Sequence, residues 1–172
     1  MRKIISWFSG ILLLLNLLQA CSSKPEEARL TIYCTSDVHG SIFNYDLKKG
    51  KETSHSLANA STLLKEARAK DSLSVLLLDG GDFLQGQPSI YYYNFIDTIT
   101  PHIHAQFMNY LKYDAAAVGN HDIEAGHPVY DRIKKEFRFP WLSANLIDSQ
   151  TGKPYFTPYV IVERQGIKIA IL

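Results

Sequence analysis

Leu73-Ser74-Val75-Leu76-Leu77-Leu78-Asp79-Gly80-Gly81-Asp82 is apolar apart from Ser74 and then breaks at once into carboxylates and glycine. A run of this kind suits a strand covered on both faces, because side chains that point alternately to either face are apolar on each. Upstream, Leu57, Ala60, Leu63, Leu64 and Ala67 fall at helical spacing within a helix expected over Ser56 to Lys70. Further upstream, Leu30 to Ser36 is rich in residues that favour strands and ends in Asp37-Val38-His39-Gly40. Apolar runs that alternate with helical patterns, each run followed by polar or glycine residues, predict an α/β fold.

Downstream the alternation continues. Ile90 to Ile96 reads as a short helix. Thr100 and Pro101 suit the N-cap and first turn of a helix ending near Tyr113, with Ile103, Phe107, Met108 and Leu111 on its apolar face. Ala115 to Val118 reads as a short buried strand leading to Gly119-Asn120-His121-Asp122. Pro128 to Phe137 reads as a helix and Trp141 to Leu146 as a strand. Phe156 to Glu163 and Ile167 to Leu172, joined by Arg164-Gln165-Gly166, form an expected hairpin.

The N-terminus calls for a separate reading. Arg2 and Lys3 precede the apolar stretch Ile11 to Leu18, which ends in Leu18-Gln19-Ala20-Cys21. That stretch is shorter than the run of about 20 residues a spanning helix needs, and it resembles a bacterial lipoprotein signal. The resemblance implies a signal peptide over residues 1–20, cleavage before Cys21 and lipid on Cys21. Ser22 to Arg29, with Pro25 and Glu26-Glu27, is then a polar tether, so residues 21–29 connect the lipid to a domain over 30–172. The expected location is the bacterial cell envelope, periplasmic or cell-surface, with membrane contact through the lipid.

Composition narrows the rest. The chain has 172 residues, 46% hydrophobic and 20% charged, with 18 Lys+Arg against 17 Asp+Glu, which excludes disorder and coiled coil. A net charge of +1 gives no electrostatic case for binding a nucleic acid polymer. Two cysteines cannot staple a domain of this size, and Cys34 is expected to be buried packing.

The expected strands end in Asp37/His39, Asp82 and Asn120/His121. In an α/β sheet the carboxyl ends of neighbouring strands lie side by side, so these clusters can converge on one site. Carboxylate, imidazole and amide donors suit hard or borderline divalent ions such as Mn, Zn, Fe or Mg, and the lack of clustered cysteine argues against a thiolate zinc site. Singly, the same residues are equally at home as turn or helix-cap groups.

Taken together and in order, Asp37-Val38-His39, Gly81-Asp82 and Gly119-Asn120-His121-Asp122 resemble the calcineurin-like metallophosphoesterases. The longer forms Gly80 to Gly86 and Val118 to Glu124 are similar to the branch with 5′-nucleotidases and 2′,3′-cyclic-nucleotide phosphodiesterases. The resemblance implies an αββα sandwich and two divalent metal ions, one held by Asp37 and His39, the second by Asn120, with Asp82 bridging. It implies hydrolysis of phosphate esters, nucleotides first, by a metal-bound hydroxide. Asn120 and His121 would contact substrate, and His121, oriented by Glu124, would stabilise phosphoryl charge or protonate the leaving oxygen. Glu124 stands where some members carry Asp.

The resemblance implies that the metal site is completed by a Gly-His and a Gly-His-x-His well downstream of the strand Ile167 to Leu172, so these histidines are expected to lie outside this sequence. The second metal therefore has only Asp82 and Asn120 from this chain. The last residues, Ile167 to Leu172, form an apolar strand with no polar tail, so the chain is expected to be the N-terminal part of the domain, a fragment incomplete at its C-terminus. The alternative is a truncated lipoprotein without catalysis that binds a metal, a phosphate compound or a protein partner; among enzymes, a cyclic phosphodiesterase or nucleotide-sugar hydrolase competes. His55, His102, His104 and His127 are expected at the surface or in packing, since His102 and His104, two apart, point to different helix faces. The Tyr91 to Tyr93 run can stack a base, although such aromatics are more often core or helix face.

Overall fold

A computed structural model describes residues 27–172; the expected signal peptide, the expected lipid site Cys21 and the first part of the expected tether lie outside the described residues. Four parallel strands make the main sheet in the order β1 (Thr31–Thr35), β4 (Val75–Asp79), β5 (Ala115–Ala117), β6 (Trp141–Leu142). β2 (Tyr45–Asp46) and β3 (Lys51–Glu52) form a small antiparallel hairpin after β1. Helices α1 (Leu57–Lys70), α2 (Pro88–Tyr91), α3 (Ile103–Leu111), α4 (Asn120–Glu124) and α5 (His127–Glu136) connect the strands, and a π-helical turn, Tyr92–Ile96, continues α2. The α/β architecture matches the expectation, and among the described residues no helix is long and apolar enough to cross a membrane.

Local chemistry explains the boundaries. Ser56 Oγ accepts the N–H of Asn59 and caps α1, whose Leu57 and Leu64 are buried. Arg68 in its last turn donates to the carbonyls of Leu111 and Lys112, which ties α1 to the end of α3. β4 is buried along nearly its whole length. Behind it lies an aromatic cluster in which Phe83, fully buried, stacks on His104 at 4.6 Å and packs against Phe137 and Trp141.

Several expectations need correction. β1 is an edge strand, with Ile32 58% exposed, and Cys34 is exposed rather than buried. Its partner β4 covers one edge only, so an apolar sequence did not secure burial. α3 begins at Ile103 instead of Thr100: Asp97 Oδ1 accepts the N–H of Thr100, while His102 becomes the N-cap by accepting the N–H of His104. The strand expected over Trp141 to Leu146 stops at Leu142, where the chain turns and Ser143 donates to the carbonyl of Thr157. The last hairpin is shorter than expected at its start, pairing β7 (Val160–Arg164) with β8 (Ile167–Ile171). Its two loop residues, Gln165 and Gly166, have φ of 50° and 76°, the left-handed pair that matches strand twist. Arg164 holds the hairpin to the sheet through Asp114, whose other carboxylate oxygen accepts the N–H of Leu77.

Candidate active site

Because β1, β4 and β5 are parallel, the loops after them leave the same edge of the sheet. The backbone joins those loops directly. Asp37 N–H donates to Gly81 O and His39 N–H to Asp82 O, each at 3.0 Å, and Gly80 N–H donates to Thr35 O at 2.7 Å. Asp37, His39 and Asp82 have φ of 53°, 47° and 62°. Left-handed backbone is costly for residues with a Cβ and persists where surrounding structure fixes it, as it does at many functional sites. Three of the expected site residues thus share one unusual backbone state, and the loop contacts hold them in it.

The third loop closes on the second with no spare room. A Cβ on Gly119 would lie 2.0 Å from Asp82 Oδ1, and one on Gly81 would lie 2.6 Å from Gly119 N. Asp82 Oδ1 accepts the N–H of His121 at 2.9 Å, and the rings of His39 and His121 meet edge to face with centroids 5.3 Å apart. Asp37, His39, Asp82 and His121 therefore belong to one assembly built on the three loops, and Asn120 lies on the third of them between Gly119 and His121.

His121 Nδ1 lies 2.8 Å from Glu124 Oε2, one helical turn on. This bond is the main cause that raises the imidazole above its ordinary pKa and lowers the Glu124 carboxyl below its own. Gln85 Nε2 donates to the same Glu124 oxygen at 3.2 Å.

Two carboxylates not singled out by the sequence organise the assembly. Asp122, fully buried, accepts the N–H groups of Gly119, Asp82, Phe83 and Leu84 at 2.8 to 3.0 Å. Its place as the acid ending Gly119-Asn120-His121-Asp122 was the available signal. Asp79 accepts from Gly81 N–H and the Thr35 hydroxyl, and burial raises its pKa from 3.8 to about 6, with the charges of Asp122 and Asp37 adding to the rise. Tyr113 OH shares the Thr35 hydroxyl at 2.7 Å.

The donor types at Asp37, His39, Asp82 and Asn120 fit a hard or borderline divalent cation, and their loops are fixed by backbone contacts. Among the described residues no group of three or more His, Cys, Asp or Glu side chains is drawn together as a ready-made ligand cluster. The pair His102 and His104 is no metal site: both are buried, His102 Nε2 bonds Asn94 Oδ1 at 2.9 Å, and His104 stacks on Phe83. His55 and His127 are exposed, as expected for surface positions.

The calcineurin-like phosphoesterase family matches residues 30–168. The chain is 34% identical over 165 residues to a 5′-nucleotidase of Vibrio cholerae, covering 90% of this chain and 28% of that protein. It is 35% identical over 159 residues to a 2′,3′-cyclic-nucleotide 2′-phosphodiesterase/3′-nucleotidase of Yersinia enterocolitica, covering 88% and 24%. The crystal structure of the calcineurin-like phosphoesterase YfkN of Bacillus subtilis superimposes with a TM-score of 0.69 at 32% identity, over 83% of this chain and 46% of that one. The chain thus spans less than a third of the length of the curated relatives it matches.

Proposed function

Because the chain belongs to the calcineurin-like phosphoesterase family, we propose that it is the N-terminal, metal-binding part of an exported phosphoesterase that hydrolyses nucleotides. The observation that carries this reading is the convergence of Asp37, His39, Asp82, Asn120 and His121 on one sheet edge, with left-handed backbone at three of them. Asp37 and His39 would hold one divalent ion, Asn120 a second, and Asp82 both. When bound, such ions would neutralise phosphoryl charge and activate water.

The chain's own residues have separable tasks. Asp82 is held by Asp122 through its backbone and by His121 N–H through its carboxylate, so its free oxygen has a fixed direction. His121 is the proton donor to the leaving oxygen, and Glu124 keeps its ring oriented and favours the protonated form. Asn120 and His121 together contact the phosphoryl group. Export and a lipid on Cys21 rest on the leader sequence Arg2 to Cys21.

The test is phosphate release from nucleoside monophosphates and 2′,3′-cyclic monophosphates by the full-length protein, with manganese or magnesium and then with chelator. Turnover that needs the metal supports the reading. Binding of metal or nucleotide without turnover under every condition would favour the non-catalytic lipoprotein instead. Likeness to the Yersinia cyclic-nucleotide phosphodiesterase is the reason to include the cyclic esters.

A further inference from the structure

Beneath the three loops a row of polar side chains crosses the sheet. Tyr113, 5% exposed between α3 and β5, brings its hydroxyl to 2.7 Å from Thr35 Oγ1. Thr35 ends β1 and Asp79 ends β4, and the two are paired in register, so their side chains meet on one face. The Thr35 hydroxyl donates to Asp79 Oδ2, and Asp79 Oδ1 accepts the N–H of Gly81 at 2.8 Å. A hydroxyl carries one proton, so Tyr113 is the donor to Thr35. Burial pushes the Tyr113 phenol above its ordinary pKa and keeps that proton in place. The far end is anchored as well: Asp114 N–H donates to Leu77 O at 2.8 Å and Asp114 Oδ2 accepts Leu77 N–H, which fixes the Tyr113 turn to β4. A directed chain thus runs from Tyr113 through Thr35 and Asp79 and ends on Gly81.

Gly81 is where the chain acts. Its carbonyl accepts the N–H of Asp37 at 3.0 Å, it precedes Asp82, and a Cβ on it would lie 2.6 Å from Gly119 N. The Thr35 carbonyl holds the residue before it, accepting Gly80 N–H at 2.7 Å. Asp122 ties the loop after β4 to the loop after β5; the Thr35 chain ties it to the loop after β1, which carries Asp37 and His39. Packing alone would not select these groups. A carboxylate and a phenol are costly to bury unless each has a partner, and apolar side chains of the same shape would hold the strands as well. Resting on the phosphoesterase reading above, we propose that Thr35 and Tyr113 are positioning residues for the metal site, acting through Asp79 and Gly81 to set the Asp37 loop against the Asp82 loop.

The test uses the full-length protein, metal-free and titrated with manganese. Thr35→Val keeps the shape and removes the hydroxyl, Thr35→Ser keeps the hydroxyl, and Tyr113→Phe removes the far end alone. In Thr35→Val, manganese affinity by calorimetry should fall by about tenfold, the lower end of the cost of losing a supporting hydrogen bond around a metal site. Hydrogen exchange at the Gly81 and Asp37 N–H groups of the metal-free variant should speed up, and the manganese concentration for half-maximal phosphate release should rise by the same factor as the affinity falls. Tyr113→Phe should show a smaller loss in the same direction, and Thr35→Ser should stay within about twofold of wild type. Leu64→Ala, a core truncation in α1, is the control: it should lower the melting temperature and leave manganese affinity unchanged. If Thr35→Val does not fold, Tyr113→Phe decides alone. Affinity equal to wild type in Thr35→Val and Tyr113→Phe, or a loss that Thr35→Ser or Leu64→Ala shares, would overturn the inference. Protein that shows the expected ranking in manganese affinity but releases phosphate from no ester would sink the phosphoesterase reading and keep the positioning role. Manganese-dependent turnover with all variants alike would do the reverse, and protein that binds no manganese would remove both.

Discussion

The carboxylate of Asp122 accepts the backbone N–H of Asp82 at 3.0 Å, forty positions away in the sequence. With Gly119, Phe83 and Leu84 it takes four N–H groups, so one buried side chain fixes the loop after β4 to the loop after β5. The acid that ends the Gly119 to Asp122 motif thereby positions Asp82, the proposed metal bridge, through its backbone.

Asp122→Asn removes the charge and one of two acceptor oxygens while leaving the four donors in place, those of Phe83 and Leu84 buried and those of Asp82 and Gly119 partly buried. The expected cost is at least about 3 kcal/mol in urea unfolding, given about 1 to 3 kcal/mol for each unsatisfied buried group. Manganese affinity should fall as well, because Asp82 loses its orientation. A variant within about 1 kcal/mol of wild type would show that the loops hold each other without Asp122.

Asp79 gives a pH signature in metal-stripped protein. Its carboxyl titrates at about 6 when folded against 3.8 for the free side chain, chiefly because it is buried. The fold therefore favours the protonated form: that stability is complete below 3.8 and is lost as pH rises through about 6. The amount is on the order of 3 kcal/mol at about 1.4 kcal/mol per unit. Asp79→Asn cannot lose it, so its stability relative to wild type should improve by that order between about pH 4 and about pH 7. Parallel stability curves would contradict the assignment.

The sequence was most informative where chemistry and topology coincide. The convergence of the loops that carry Asp37, His39, Asp82 and His121 was legible because parallel strands place their ends together, and ligand-type residues at those ends stand out as candidates. Cys34 was not, since an apolar alternation says nothing of whether a strand lies at a sheet edge or centre, and β1 lies at the edge. Thr100 is a good cap by preference, yet Asp97 engages its N–H and His102 caps α3 from within the core. The work of Asp122 was hidden because its donors come from two loops that only tertiary structure brings together. The Tyr91 to Tyr93 run was likewise ambiguous in sequence, and the structure leaves Tyr91 and Tyr92 exposed.

Gly119→Ala is a steric test of the same junction. Gly119 has an ordinary φ of −85°, so backbone strain is absent, but the added methyl would lie 2.0 Å from Asp82 Oδ1. Manganese affinity should drop by an order of magnitude or more while the circular dichroism spectrum stays close to wild type. Unaltered affinity would mean that Asp82 can rotate away at no cost and still bind.

His121→Ala should lower turnover by about 10² to 10⁴, the usual scale for proton transfer assistance, with metal content measured by mass spectrometry retained. Glu124→Gln should cost less, since it keeps a side chain beside Nδ1 but removes the charge that favours the imidazolium. Loss of both metals from His121→Ala would make His121 a ligand.

The most direct measurement is phosphate release by full-length wild type and Asp82→Asn across a manganese titration. Asp82 is proposed to serve both metals, so the variant should lose activity by orders of magnitude and show weakened metal binding. Turnover equal to wild type, with metal still bound, would contradict the account at its centre.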